Sequence, residues 1–263
     1  MRITFDSNAW EAIFDTANLA CEPIRVALAS GAIKGFICES AFRIEAIRKS
    51  GRPEYFQAPK MDVGMHVEFG ADGRITLHAQ IGPADQAHPG LPEIQARKLE
   101  WAVKHGVRLL HGISWLGLPR PPEINDPAIY VSDADGERAR RSQCQIDVAS
   151  AIGRSGVGRA SFEKLGGWAG QQIAADASKK FQRACAEWSD EETVIAHITY
   201  QNDILCTNDH GKSAGASIFD QTHRTWLTET YGVRFATLQE LIELSSVRPI
   251  VIDASTEVFD GQP

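Results

Sequence analysis

Two short apolar runs, Ile3-Thr4-Phe5 near the start and Ile204-Leu205-Cys206-Thr207 near the end, each deliver an acid just beyond their last residue, Asp6 and Asp209. Apolar runs of this length read as buried strands of a parallel sheet, and open parallel sheets gather ligands at the carboxyl ends of their strands. Between them, Glu45 falls on an expected helix after another strand, and Glu192 on an expected helix just before Ile204. Four carboxylates brought together without a counter-charge would repel one another, so their meeting would point to a divalent cation held by hard oxygen ligands.

The rest of the chain supports an alternating layout. Trp10, Ile13 and Phe14 at helical spacing predict a helix over Ala9–Leu19, and Glu22-Pro23 opens a second through Leu28 with Gly31 as its cap. Gly35–Cys38 reads as a strand, and Ser40 as the N-cap of a helix carrying Phe42, Ile44 and Ile47 around Glu45. From Gly51 the pattern changes: prolines recur, Val63–Phe69 and Arg74–Ile81 flank an Ala-Asp-Gly turn as a β-hairpin, and Glu93–His105 reads as a helix closed by Gly106. Residues 51–125 are expected as an insertion or cap. Asp133 is expected to cap a helix presenting Ala139, Ile146, Ala149 and Ile152 on one face, ended by Gly153, Gly156 and Gly158.

Helices are then expected over Ile173–Trp188, Glu191–Tyr200, Phe219–Tyr231 and Leu238–Leu244, with strands at Ile204–Thr207 and Val233–Phe235 and a tail over 246–263. Strands alternating with helices predict one α/β domain with a mainly parallel sheet, its core drawn from 1–50 and about 130–245.

The bulk numbers exclude several classes. Lys and Arg total 27 against 34 Asp and Glu, a net charge of -7 that disfavours non-specific wrapping of nucleic acid while allowing a local basic groove. Five irregularly spaced cysteines without a Cys-x-x-Cys pair argue against a disulfide framework or a zinc ribbon. Asp6 interrupts the first apolar run, and no stretch approaches the ~18 apolar residues that suggest a membrane span, so the protein is expected to be cytoplasmic. Gly211-Lys212-Ser213 lacks the upstream glycine of a P-loop, and Asp133-Ala134-Asp135-Gly136 is too short for an EF-hand loop.

With these residues in place the chain resembles the PIN-domain family of metal-dependent ribonucleases. The pieces that match are Ile3-Thr4-Phe5-Asp6-Ser7-Asn8, Ile37-Cys38-Glu39-Ser40 leading to Glu45, Glu192-Thr193-Val194-Ile195-Ala196, Leu205-Cys206-Thr207-Asn208-Asp209, and Tyr231 to Leu241. The resemblance covers the two ends of the chain and implies an enlarged form of a three-layer α/β/α fold, with the hairpin and helical region inserted. It implies a Mg²⁺ or Mn²⁺ site on Asp6, Glu45, Glu192 and Asp209, with Asn8 and Thr207 supporting it, and a metal-activated water that hydrolyses RNA phosphodiester bonds. The third acid of the family is more usually Asp, so Glu191 or Asp190 stands as an alternative to Glu192. Gly211-Lys212-Ser213 replaces the more familiar Asp-Phe pair.

RNA contacts are expected from Arg43, Arg48, Lys49 and Lys212, with a second basic run at Arg138, Arg140, Arg141, Arg154, Arg159 and Lys164. Trp101, Trp115 and Trp168 are candidates for stacking on bases or for the core. Taken singly, each acid also has an ordinary explanation as a helix cap, a first-turn acid or a turn former. The alternatives are a catalytically quiet PIN-like module that binds RNA or protein, and the toxin of a toxin–antitoxin pair, with an antitoxin or a second copy as partner. A haloacid-dehalogenase-type phosphatase is disfavoured because Asn8 stands where that class has its second Asp.

Overall fold

The computed structural model describes residues 1–45, 47, 61–69, 75–83, 88–113, 120–133, 136–165, 177–211 and 216–247. Its centre is a parallel sheet of β1 (Arg2–Phe5), β2 (Lys34–Cys38), β5 (Arg108–Leu110), β6 (Ile204–Cys206) and β7 (Phe235–Ala236), in the order β5-β2-β1-β6-β7. β3 (Met61–Phe69) and β4 (Ile75–Pro83) form a separate antiparallel hairpin, as the sequence predicts. Its Ala-Asp-Gly turn lies outside the described residues.

Alternation along the strands shows why the sheet is covered on both faces. Ile3, Phe5, Ile37, Leu109, Ile204 and Cys206 enter one core with α1 (Ser7–Ile13), α2 (Glu22–Ala29), α3 (Glu93–Lys104) and α8 (Leu238–Val247). The intervening Phe36, Cys38, Leu110 and Leu205 face the opposite layer of α4 (Glu137–Ser155), α6 (Ala177–Thr199) and α7 (Gln221–Tyr231). α5 (Arg159–Lys164) packs against α6. The result is the expected three-layer α/β/α arrangement.

Several elements differ from expectation for physical reasons. α1 stops at Ile13 instead of reaching Leu19, because buried Arg25 from α2 donates to the carbonyls of Ile13 (2.7 Å) and Asn18 (3.1 Å) and so satisfies a chain that turns. Glu22 accepts from the same guanidinium at 2.6 Å. Ser40 donates to the Ser189 carbonyl at 3.4 Å, and the segment after it is a single π-helical turn, Ala41–Glu45.

Within 51–125, expected as an insertion or cap, β5 pairs with β2 as an edge strand and Leu99 and Ala102 of α3 enter the first core. Asp133 pairs with Arg141 and Gly136 takes the N-cap of α4, which buries Gln145, Val148 and Ile152 while Ile146 is exposed. The helices expected over Ile173–Trp188 and Glu191–Tyr200 are joined in the continuous α6, buried on every side from Glu187 to His197. All five cysteines are free thiols.

Gly35, in β2, shows how closely α2 sits on the sheet. A Cβ there would fall 2.7 Å from both Leu28 Cδ2 and Phe5 Cε2, and 3.2 Å from Val107 Cγ2. Gly35→Ala is expected to lower unfolding free energy by about 1–3 kcal/mol in urea titrations, as overpacking in a filled core does.

Candidate functional site

Phe5 pairs with Ile37 on one side and Cys206 on the other, so Asp6 emerges level with Thr207. The Asp6 carboxylate is 2% exposed. Its Oδ1 accepts from the Ser7 backbone N–H at 2.7 Å, and Oδ2 accepts from Asn8 Nδ2 at 2.6 Å and from the Thr207 hydroxyl at 2.7 Å. Thr207 Oγ1 in turn accepts from the Asp209 N–H at 3.0 Å, so one hydroxyl joins the first strand's acid to the second's. Asn8 Oδ1 accepts from Asn208 N–H at 2.9 Å, and Asn208 Oδ1 from Leu238 N–H at 3.0 Å, which ties together the ends of β1, β6 and β7.

Burial pushes the Asp6 carboxyl above its ordinary value, its hydrogen bonds pull it back, and the Asp209 charge pushes it up again. Asp209 Oδ1 accepts from Gly211 N–H at 2.7 Å. Beside the pair stands Arg224, which donates to the Asp209 carbonyl and to the Phe219 carbonyl at 2.9 Å, with its guanidinium 4.6 Å from the Phe235 ring centre. The guanidinium lies in the field of Asp209 and Asp6. Sequence reasoning missed Arg224, since a charged residue on an ordinary helix carries no local signal of what it faces.

The acids of α6 divide between two neighbourhoods. Glu187 is buried, its Oε2 accepts from Ile218 N–H at 3.2 Å, and burial followed by the fields of Asp209 and Asp220 raises its pKa. It is a residue the sequence reading passed over. The available signal was an acid set among Ala184, Cys185, Ala186 and Trp188.

Glu192, expected at the metal, points instead to the loop after β5, where its Oε2 accepts from Ile113 N–H at 2.6 Å. The charges that act on it are those of Glu191, Arg43 and Glu39. Of the alternatives, Glu191 accepts from Arg159 N–H at 2.5 Å, and Asp190 is buried three residues after Glu187. Glu45 closes the π-helical turn. Its side chain, together with Arg48, Lys49, Lys212, Trp115 and Trp168, lies outside the described residues.

A second cluster surrounds Glu39, which is fully buried at the end of β2. It accepts from Arg120 Nε at 2.6 Å, Tyr130 Oη and Gly112 N–H each at 3.1 Å, and Arg43 Nη1 at 3.3 Å. Burial would raise its pKa, but the Arg120 bond and the charges of Arg43 and Arg120 hold it below the ordinary value. Arg43, an expected RNA contact, is therefore a buried partner of this acid.

In the second basic run, Arg140 lies 3.6 Å from Glu137, Arg159 lies 2.6 Å from Glu163, and Lys164 donates to the Gly156 carbonyl at 2.8 Å. Trp101 stacks edge-on against His105 and belongs with the core around Phe14. Among the described residues, no group of three or more His, Cys, Asp or Glu side chains is arranged to hold a metal ion.

Burial lifts Glu191 from 4.5 to about 7 and Glu192 from 4.5 to about 8, so the fold favours their protonated forms. Their contribution to stability is complete below pH 4.5 and is lost as the pH rises through 7 and 8. His197, packed on Thr4 and lowered from 6.5 to about 4, acts oppositely and only below 6.5. Between pH 6.5 and 8 the urea midpoint is expected to fall, and the double variant Glu191→Gln/Glu192→Gln to flatten that fall.

Among the described residues no helix is long and apolar enough to cross a membrane. Comparison with protein-family models, with curated proteins and with solved structures returns no match to this chain.

Proposed function

We propose that this chain is a divalent-metal-dependent ribonuclease whose reaction centre is the Asp6–Asp209 pair. The observation that carries the reading is where the pair lies. Successive strands run from β1 outward through β2 to β5, while β6 and β7 are added on β1's other side. The β1/β6 junction is thus a point where the winding reverses, and the crevice beyond the carboxyl ends at such a point is where open α/β sheets bind ligands. Asp6 and Asp209 follow those two strands.

The residues fit Mg²⁺ or Mn²⁺ in kind: hard carboxylate oxygens, with Asp209 Oδ2 accepting no hydrogen bond among the described residues. A small hard cation commonly binds through one or two carboxylates, several waters and the substrate phosphate. When bound, the metal supplies a Lewis acid that lowers the pKa of a coordinated water and offsets charge gathering on the phosphate. Thr207 and Asn8 fix the orientation of the Asp6 carboxylate, and Glu187 is a buried carboxyl that lies in the field of Asp209. RNA as substrate follows from the resemblance to PIN domains.

A catalytically quiet module is the second reading, favoured by Glu192 turning to Ile113 and away from the expected four-acid set.

Asp209→Asn separates the two readings, because its amide oxygen retains the Gly211 N–H while the anionic charge is lost. Turnover of single-stranded RNA with Mn²⁺ is expected to fall by about 100-fold or more with melting unchanged, whereas Asp6→Asn is expected to lose turnover and also to melt lower, because both Asp6 oxygens accept hydrogen bonds. Calorimetry should show Mn²⁺ heat in the wild type and none in either variant. Wild-type cleavage by Asp209→Asn, or a wild type silent in both assays, would sink the nuclease reading.

A further inference from the structure

Beyond the carboxylate pair, a cleft of about 440 Å³ opens between the loop after β5 and the exposed side of α4. Among the described residues that line it, Arg120, Arg138 and Arg141 stand with one acid, Asp133. We infer that this cleft is a phosphate-binding groove for a single-stranded nucleic acid whose scissile bond lies at Asp6–Asp209. The inference rests on the nuclease reading and adds the path of its substrate.

Two of the three guanidinium groups are held from behind. Arg120 is gripped at Nε and Nη2 by buried Glu39, itself fixed by Gly112 and Tyr130. Arg141 is paired with Asp133 and lies with its guanidinium carbon 3.8 Å from the Tyr200 ring centre. Guanidinium groups oriented in this way present their remaining N–H donors without a further entropic cost, which suits phosphate oxygens. Arg138 is exposed, forms no ion pair among the described residues, and acts electrostatically on His111 across the cleft. It is the group free to take up a phosphate.

The register places the cleft on the same edge as the acids. Phe5, Ile37 and Leu109 are paired across β1, β2 and β5, so Asp6 is level with Leu110, and His111 stands one residue beyond. Two strand spacings separate β5 from β1, about 10 Å.

The groove also continues, which favours a polymer over a small phosphorylated molecule. Ile113 lines both this cleft and a neighbouring cavity of about 320 Å³, where Arg154 and Arg159 stand with Glu163 and with Glu191 and Glu192, the last two shifted towards their neutral forms. Successive turns of α4, through Arg138, Ser142 and Gln145, then Ala149, Gly153 and Arg154, line the two in turn. The run from 138 to 154 spans about 24 Å of helix.

The test uses the full chain carrying Asp209→Asn, so that RNA is bound without turnover, and follows a short fluorescent single-stranded RNA by anisotropy across a salt series. Adding Arg138→Ala is expected to weaken binding about 3- to 10-fold and to reduce the magnitude of the log–log salt slope by about 0.7, while Arg138→Lys keeps the slope. Unchanged affinity and slope in Arg138→Ala, with unaltered melting, overturn the groove. Inorganic phosphate or a mononucleotide binding as tightly as the RNA also overturns it, in favour of a small phosphorylated ligand.

Two outcomes separate this inference from the nuclease reading. Mn²⁺-dependent cleavage by the wild type with RNA binding indifferent to Arg138 removes the groove and leaves the hydrolase. Arg138-dependent binding without wild-type cleavage supports the groove and removes the hydrolase.

Discussion

Taking carboxylates out of water is the constraint around which the rest of this molecule is arranged. Asp6, Glu39, Glu187, Asp190, Glu191 and Glu192 are all buried, and a buried carboxylate is costly unless donors or cations meet it. The molecule answers with different partners at different places. Glu39 receives two arginines, a tyrosine hydroxyl and a backbone N–H. Glu191 and Glu192 each receive one short backbone N–H bond and remain shifted towards their neutral forms. Asp6 receives three donors yet shares its field with Asp209.

That difference separates a scaffold from the candidate site. Around Glu39 the positive charge comes from the chain itself, so the cluster locks the ends of β2 and β5 and holds Arg120 at the surface of the cleft. At the β1/β6 junction Asp6 lies in the field of Asp209, linked to it through Thr207 and beside Arg224, at an edge to which the parallel sheet directs every strand end. The Thr207 bond that positions Asp6, with the Asn208–Asn8 and Leu238–Asn208 bonds beside it, binds the segments after β1, β6 and β7 into one unit.

The parts of the fold legible in the chain were those set by local pattern. Apolar runs placed β1, β2 and β6, alternation placed the hairpin, and Gly31, Gly106 and Gly232, all with positive φ, marked helix ends. Errors arose where a distant group intervened. Arg25 allowed α1 to end early, Ser189 took the Ser40 hydroxyl from its expected cap, and burial from several sides carried α6 through a stretch of acids that read as a break. β5, three residues long within a stretch read as an insertion, had no periodicity strong enough to declare its partner.

The candidate site divides along the same line. Asp6 and Asp209 could be named from the sequence because strand ends in a parallel sheet occupy one edge, with Asn8 and Thr207 added by the resemblance to PIN domains, and backbone register then determines which residues stand level. Glu192, Glu187, Glu39 and Arg224 could not be assigned in that way. They sit on helices or beyond strand ends, where the direction of a side chain depends on how neighbouring elements pack, so tertiary structure sent Glu192 to Ile113 and placed Glu187 and Arg224 in the field of Asp209. The sequence by itself determined β1, β2, β6 and β7, the edge at which they end, and the two acids that follow β1 and β6. Only the packing of helices against that edge decided which further charges accompany them.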